Sequence, residues 1–293
     1  MKRKHLISVS LAALMATSTV QAADTATFPE IKSNIIKPNV PAVIVAPPYS
    51  WTGLYFGGQF GGFSSKSVFN YSEDATTGKW YWIDKKLLPK PSGFMGGGYL
   101  GSNIDLGNNF VLGVDTDFMW SGKKDTRTGE ERKILDDDEL DSINEVFEEA
   151  GIRVVKPAAP DETIPNYGDL VISSVTLKEK WAGATRVRIG FASDRVMPYI
   201  SGGIAYAQMQ YIMSILSKSQ EDSFVFASGN VLDETKTMIG YTVGAGLDFA
   251  MTNNIILRTE YRYADFGKKK FGEDKLEIGY NTNDFRIGVA YKF

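Results

Sequence analysis

A chain of 293 residues is long enough for one large or two modest domains, and the absence of Cys excludes disulfides, thiolate metal sites, cysteine nucleophiles and a lipidated N-terminal Cys. Its one histidine is His5, so neither a Ser-His-Asp triad nor a His-ligated metal site can be assembled from the body of the chain. The formal charge of −3 argues against a general nucleic-acid binder.

Residues 1–22 read as a secretory signal peptide. Lys2, Arg3 and Lys4 form the charged region, residues 6–20 are mostly apolar, and Val20-Gln21-Ala22 has the small-x-small cleavage pattern. That run is too short and wrongly flanked for a spanning helix. Cleavage after Ala22 would remove three cations and His5, taking the formal charge from −3 to −6. No later stretch reaches about 18 apolar residues, so no transmembrane helix is expected. Residues 23–50 carry Pro29, Pro38, Pro41, Pro47 and Pro48 and read as an extended Pro-rich linker without a core of its own.

From Trp51 onward the dominant signal is period-two alternation, the mark of strands. In the first strand Leu54, Phe56, Gly58 and Phe60 oppose Tyr55, Gly57 and Gln59. The second covers 93–103, with Phe94 and Leu100 on one face. In the third, Leu112, Val114, Phe118 and Trp120 alternate with Gly113, Asp115, Asp117 and Met119. The fourth, 177–191, sets Trp181, Val187, Ile189 and Phe191 against Lys180, Ala182, Ala184, Arg186 and Arg188. In the fifth, Ile200, Ile204 and Tyr206 oppose Ser201, Gly203 and Ala205. The sixth sets Ile239, Tyr241, Val243, Ala245, Leu247 and Phe249 against Gly240, Thr242, Gly244, Gly246 and Asp248. In the seventh, Leu257, Tyr261 and Tyr263 oppose Arg258, Glu260 and Arg262. The eighth, 284–293, puts Phe285, Ile287, Val289, Tyr291 and Phe293 on one face and Asp284, Arg286, Gly288, Ala290 and Lys292 on the other.

Each of these eight strands is about long enough to cross a bilayer at a tilt. Connections after the second, fourth and sixth are short; those after the first, third, fifth and seventh read as longer, the longest being 122–176. Short turns at one end and long loops at the other predict an all-β, eight-stranded, antiparallel up-and-down transmembrane β-barrel with long extracellular loops. The second faces carry Asp115, Asp117, Arg186, Arg188, Asp248, Arg258, Glu260 and Arg262. In a closed eight-stranded barrel these point into a narrow lumen that side chains fill, and buried charges there must be paired. A water-soluble sandwich would place them on wet faces, but leaves the loop asymmetry and the closing aromatic residue unexplained.

With those residues in view, the chain resembles the small Gram-negative outer-membrane β-barrel family that includes surface antigens and hemin-binding proteins of intracellular bacteria. The matching pieces are Trp51-Thr52-Gly53-Leu54-Tyr55-Phe56-Gly57-Gly58, Gly96-Gly97-Gly98, Pro198-Tyr199-Ile200-Ser201-Gly202-Gly203-Ile204-Ala205-Tyr206, Tyr241-Thr242-Val243-Gly244-Ala245-Gly246, Glu260-Tyr261-Arg262-Tyr263-Ala264-Asp265-Phe266-Gly267 and the last strand. The resemblance implies a bacterial outer-membrane location with loops at the cell surface, a periplasmic linker, and lipid and lipopolysaccharide as surroundings. It also implies a barrel-assembly signal at Val289, Tyr291 and Phe293 read by the assembly machinery. Members are variously structural envelope proteins, porin-like channels, adhesins or hemin binders. The segment 122–176 is longer and more acidic than the family pattern.

Specific chemistry is sparse. Gly96, Gly98 and Gly101 match Gly-x-Gly-x-x-Gly, but a dinucleotide loop must open a helix and none follows. The first loop holds Lys79, Trp80, Tyr81, Trp82, Lys85 and Lys86, then Lys90. Aromatics beside cations suit a planar anion such as hemin, with Lys meeting the propionates; they equally suit an interfacial aromatic girdle beside lipid phosphates. With no His available, Tyr71, Tyr81 or Tyr99 would be the axial ligands on offer. Lys268, Lys269 and Lys270 make a basic cluster in the predicted last loop. Within 122–176, Leu140, Ile143, Val146, Phe147 and Ala150 recur at helical spacing behind Asp136, Asp137 and Asp138, with Gly151 as a stop. This predicts a short amphipathic helix that binds a host surface, folds over the barrel mouth or stands in solvent. The carboxylates of 136–141 lack the EF-hand spacing, so no calcium site is expected. No catalytic constellation emerges and no cofactor is required. The expectation is a non-enzymatic surface barrel that meets hemin or another external ligand through its loops, with a porin-like channel, an adhesin or a structural envelope protein as alternatives.

Overall fold

The computed structural model describes residues 49–72, 81–82, 87–154, 165, 168–221 and 223–293. The predicted signal peptide, nearly all of the linker, and Lys79, Trp80, Lys85 and Lys86 lie outside the described residues, and Tyr81 and Trp82 are described as backbone only. Eight long strands carry the architecture: β1 (Gly53–Tyr71), β3 (Ser92–Gly107), β4 (Phe110–Thr128), β6 (Leu170–Phe191), β7 (Val196–Lys218), β8 (Val225–Ala250), β9 (Ile255–Phe271) and β10 (Leu276–Lys292). Among the described residues, two short strands, β2 (Tyr81–Trp82) and β5 (Arg132–Lys133), and one helix, α1 (Asp137–Glu149), complete the set. Each long strand pairs antiparallel with the next, and β10 pairs with β1 from Tyr55↔Lys292 to Tyr71↔Leu276. The sheet is therefore a closed ring, and closure removes the unpaired edges an open sheet would expose.

The two faces of the ring divide as the alternation demands. Leu54, Phe60, Phe94, Leu100, Ile189, Ile200, Ile239 and Phe285 stand 52–80% exposed on the outside, on strands all round the ring. Opposite them, Asp115, Asp117, Arg186, Arg188, Asp248, Arg258, Glu260 and Arg262 are at most 3% exposed. An apolar band facing outward with charges inside is the arrangement of a barrel in lipid, the reverse of a soluble core. Close backbone approach tightens the ring: a side chain at Gly97 would collide with the Phe118 carbonyl on β4.

Several strands run far past the belt. The predicted loop 122–176 is strand at both ends, since β4 continues to Thr128 and β6 begins at Leu170. The expected long connections after the fifth and seventh strands are absent: residues 219–224 alone join β7 to β8, and 272–275 join β9 to β10. Lys268, Lys269 and Lys270 consequently lie on β9, not in a loop. The physical reason is an inversion of the alternation. On β10, Phe285 and Val289 face outward within the belt, whereas above it Leu276, Ile278 and Tyr280 are buried inward. Outside lipid, the outer face meets water and the inner face becomes the core. At the other end the turns are tight; Asn108 and Asn109 both adopt positive φ (50° and 68°), as a two-residue hairpin turn requires.

The extension past β4 is a folded lobe. Asp136 caps α1, its carboxylate accepting from the Glu139 amide at 2.8 Å. Leu140, Ile143 and Phe147 lie three and four residues apart, share one face, and are buried with Ile134, Val171, Ile215 and Ala227. Val171 and Ile215 point to the inner side of the extended β6 and β7, so the helix covers the inner face of that sheet. Its other face is acidic and exposed, with Asp137, Asp138, Asp141, Glu145, Glu148 and Glu149.

Candidate functional site

The barrel interior is filled in layers. At the turn end, Trp51, Val111, Met197, Ala250, Ile256 and Ala290 pack together, and the Trp51 indole donates to the Asp194 carbonyl at 3.0 Å. Lys292 Nζ donates to the Ser50 carbonyl at 2.7 Å, joining the last strand to the segment that precedes the first.

Above this floor lies the charge network. All eight residues expected in the lumen are brought together there. Arg186 is its hub: its guanidinium meets Asp115 at 2.9 Å, Asp117 at 3.6 Å and Glu260 at 2.6 Å. Arg188 reaches Asp248 at 2.6 Å and Asp115 at 3.5 Å. Arg258 reaches Asp248 at 2.9 Å and Asp115 at 3.2 Å. Arg262 holds Asp117 and Glu260, each at 2.7 Å. Each of these four acids therefore meets at least two arginines, at least one of them from another strand. Buried ions carry a desolvation cost of several kcal/mol each, which only such multiple pairing offsets.

The network is larger than the expected set. Arg286 pairs with Asp117 at 3.1 Å and with Asp284 at 2.6 Å. Both newcomers sit on the inward face of the last strand and are visible by parity alone. Three tyrosines also belong. Tyr199 donates to Glu260 at 2.7 Å, Tyr55 accepts from Arg188 at 3.1 Å, and the Arg258 guanidinium lies 4.6 Å from the Tyr99 ring centre. Tyr99, weighed as an axial hemin ligand, is thus enclosed in the lumen at 4% exposure and faces no external ligand. Nothing in a Tyr at an inward position distinguishes a ring stacked on arginine from any other filler, so these contacts were not legible in sequence.

Toward the loop end, Gln59 donates to the Met119 sulfur, and Glu179 accepts from Ser121 at 2.9 Å and from Tyr280 at 2.8 Å. Above that the interior is apolar: Leu177, Met209, Tyr211, Met238, Phe266, Phe271 and Ile278 form one cluster, joined by Leu88. The Pro89 and Pro91 carbonyls accept from Ser67 and Ser65, fixing the end of the first loop against the inner wall. β2 pairs with the loop end of β1, Asn70↔Trp82 and Tyr71↔Tyr81, placing the backbone of Tyr81 and Trp82, two residues of the expected hemin segment, at the rim. Tyr71 is exposed there. On β9, Lys268 Nζ donates to Glu277 at 2.8 Å, and this hydrogen bond holds the Glu277 carboxyl below its ordinary range. Val289, Tyr291 and Phe293 stand exposed on the outer face, with the Phe293 ring 5.1 Å from Tyr291 and stacked on Phe56 at 5.9 Å.

A family model described as outer membrane protein beta-barrel domain matches residues 9–293. The chain is 30% identical to the 31 kDa outer-membrane immunogenic protein of Brucella melitensis, over 99% of this chain and 100% of that protein. It is 28% identical to the 25 kDa outer-membrane immunogenic protein of the same organism, over 99% of this chain and 98% of that protein. Among solved structures, the outer membrane protein OprG of Pseudomonas aeruginosa aligns with 84% of this chain and 98% of its own at 8% identity and a TM-score of 0.41.

Proposed function

Because the chain belongs to the outer membrane protein β-barrel family, we propose that this outer-membrane protein is a sealed surface barrel that meets an external ligand through the structure above the membrane. The observation that carries the reading is the filled interior. Five arginines and five carboxylates at 4% exposure or less cross the lumen between an apolar floor and an apolar upper core. An eight-stranded barrel leaves little space once its side chains are in place. The folded lobe around α1 and the rim at β2 are then the parts built to be met from outside. The description of the Brucella relatives as immunogenic accords with that exposure. Refolded protein in planar bilayers is expected to give no stable single-channel currents; steady unitary steps would overturn the sealed barrel in favour of a porin-like channel.

Hemin is the ligand class we put forward, on the placement of Tyr81 and Trp82 at the rim beside Tyr71, within the run Lys79, Trp80, Tyr81, Trp82, Lys85 and Lys86. Aromatic faces would stack on the porphyrin and the lysines would meet its propionates. A hemin titration of the refolded protein, beside a variant lacking 79–86, tests this. Saturable binding lost in the variant is the expected result. Binding retained by the variant would move the site. The absence of saturable binding would remove hemin and leave the α1 lobe as the adhesive or structural surface.

A further inference from the structure

The outer face of β4 and β6 holds a feature that neither a sealed lumen nor a loop ligand requires. Trp120 and Trp181 are register partners on that face. The Phe118 ring lies 5.3 Å from Trp181, and the Tyr206 ring 6.2 Å from it. Aromatic rings of this kind mark the level where hydrocarbon gives way to lipid headgroups. Just beyond them, toward the loop end, Lys124 and Lys178 are register partners on adjacent strands, with Lys180 nearer the belt. From Trp181 to Lys178 the strand rises about 10 Å, and less along the membrane normal once tilted, which sets the ammonium groups at headgroup height.

Like charges directly opposite on an antiparallel pair repel. Among the described residues no carboxylate lies within 4 Å of Lys124, Lys178 or Lys180. The neighbouring acids are engaged elsewhere. Asp125 accepts from the Lys90 amide at 2.7 Å, Glu179 from Ser121 and Tyr280, and Asp233 from Gln210 at 2.6 Å. Hydroxyls and one carboxamide flank the lysines: Thr126 and Thr176 bond each other at 2.7 Å, Lys180 donates to Thr235 at 3.2 Å, and Gln210 is the register partner of Lys178 on β7. The contrast lies on β9, where Lys268 at the outer face has Glu277 as its partner.

We infer that Lys124, Lys178 and Lys180 form a site for the phosphate groups of a phosphorylated lipid headgroup in the outer leaflet. The lysines supply charge, the threonine hydroxyls donate to phosphate oxygens, and Phe118, Trp120 and Trp181 receive the upper part of the acyl chains. Each lysine snorkels its stem along the sheet and places its charge among the phosphates. An anion between the facing lysines relieves their repulsion, so the pair is stable where the lipid is and strained where it is not.

The test is lipid binding by the full refolded chain in neutral detergent, read by native mass spectrometry with diphosphorylated lipid A as the probe. The wild type is compared with Lys124→Gln/Lys178→Gln/Lys180→Gln and with Lys268→Gln/Lys270→Gln, each checked for heat-dependent gel mobility. The triple variant is expected to bind about tenfold more weakly or worse, from the loss of three near-surface cations. The double variant is expected to bind as wild type, and millimolar inorganic phosphate should leave the lipid in place. Equal binding by the triple variant, an equal loss in the double variant, or displacement by inorganic phosphate would each overturn the site.

Discussion

Arg186 shows how a single side chain holds this barrel. It touches Asp115, Asp117 and Glu260, carboxylates from β4 and β9, on strands that are not neighbours in the ring. Truncating one partner of a buried network leaves the others charged and unpaired, at a cost of about 3–5 kcal/mol. Arg186→Ala is therefore expected to lower stability by about that amount in urea unfolding of the lipid-reconstituted protein; an unchanged midpoint would mean that water or rearrangement replaces the arginine. Tyr199 is a finer probe. Its hydroxyl donates to Glu260 at 2.7 Å, and both groups are buried. Tyr199→Phe keeps the ring against Arg188, 3.9 Å from its centre, and removes only the hydrogen bond. A loss of about 1.5–3 kcal/mol is expected in the same assay, the range for a bond to a charged group.

At the scale of elements, α1 rests on the loop-end extensions of β6, β7 and β8. The helix has a capped, acidic first turn, which suits the helix dipole, but no basic residue in its last turn, where Glu148 and Glu149 oppose it. Packing of Leu140, Ile143 and Phe147 must supply what the charges do not. Phe147→Ala is expected to weaken the lobe by about 3–5 kcal/mol, seen as fast hydrogen exchange and new protease cuts within 129–169. The heat-dependent gel mobility of the barrel should be unaffected; its loss would show that lobe and barrel fold as one unit. The last strand shows why element bounds were harder to read than element identity. Its alternation is clear from Asp284 onward, the point at which charged residues begin to face the lumen and apolar ones the lipid. Below Asp284 in number, Leu276, Ile278 and Tyr280 keep the same inward side that Asp284 and Arg286 occupy. The strand does not end at 284; its environment changes, and the apolar face changes sides.

On the scale of the whole molecule, closure belongs to the ring and not to the extension. The β1–β10 pairing runs through the belt and past it without any residue of 129–169. Replacing 129–169 by a short Gly-Ser turn is expected to leave a closed, heat-modifiable barrel with β-type circular dichroism. An unfolded product would assign the lobe a part in assembly.

The sequence by itself determined the ring. Period-two alternation, tight turns at one end and charges on the second face are local properties, written residue by residue, and they suffice to assign the eight charged residues to the lumen side. The short helix was equally legible, since its apolar spacing and its acidic cap sit within one segment. The tertiary structure alone decided which arginine meets which carboxylate, because those partners lie up to 169 residues apart and are chosen by register and shear around the ring. It also decided how far the strands extend and what α1 covers. Those depend on where lipid ends: where a strand passes from lipid to water its residues keep their sides, and the apolar ones move from the outer face to the inner, a change of parity whose meaning only the level of the membrane supplies.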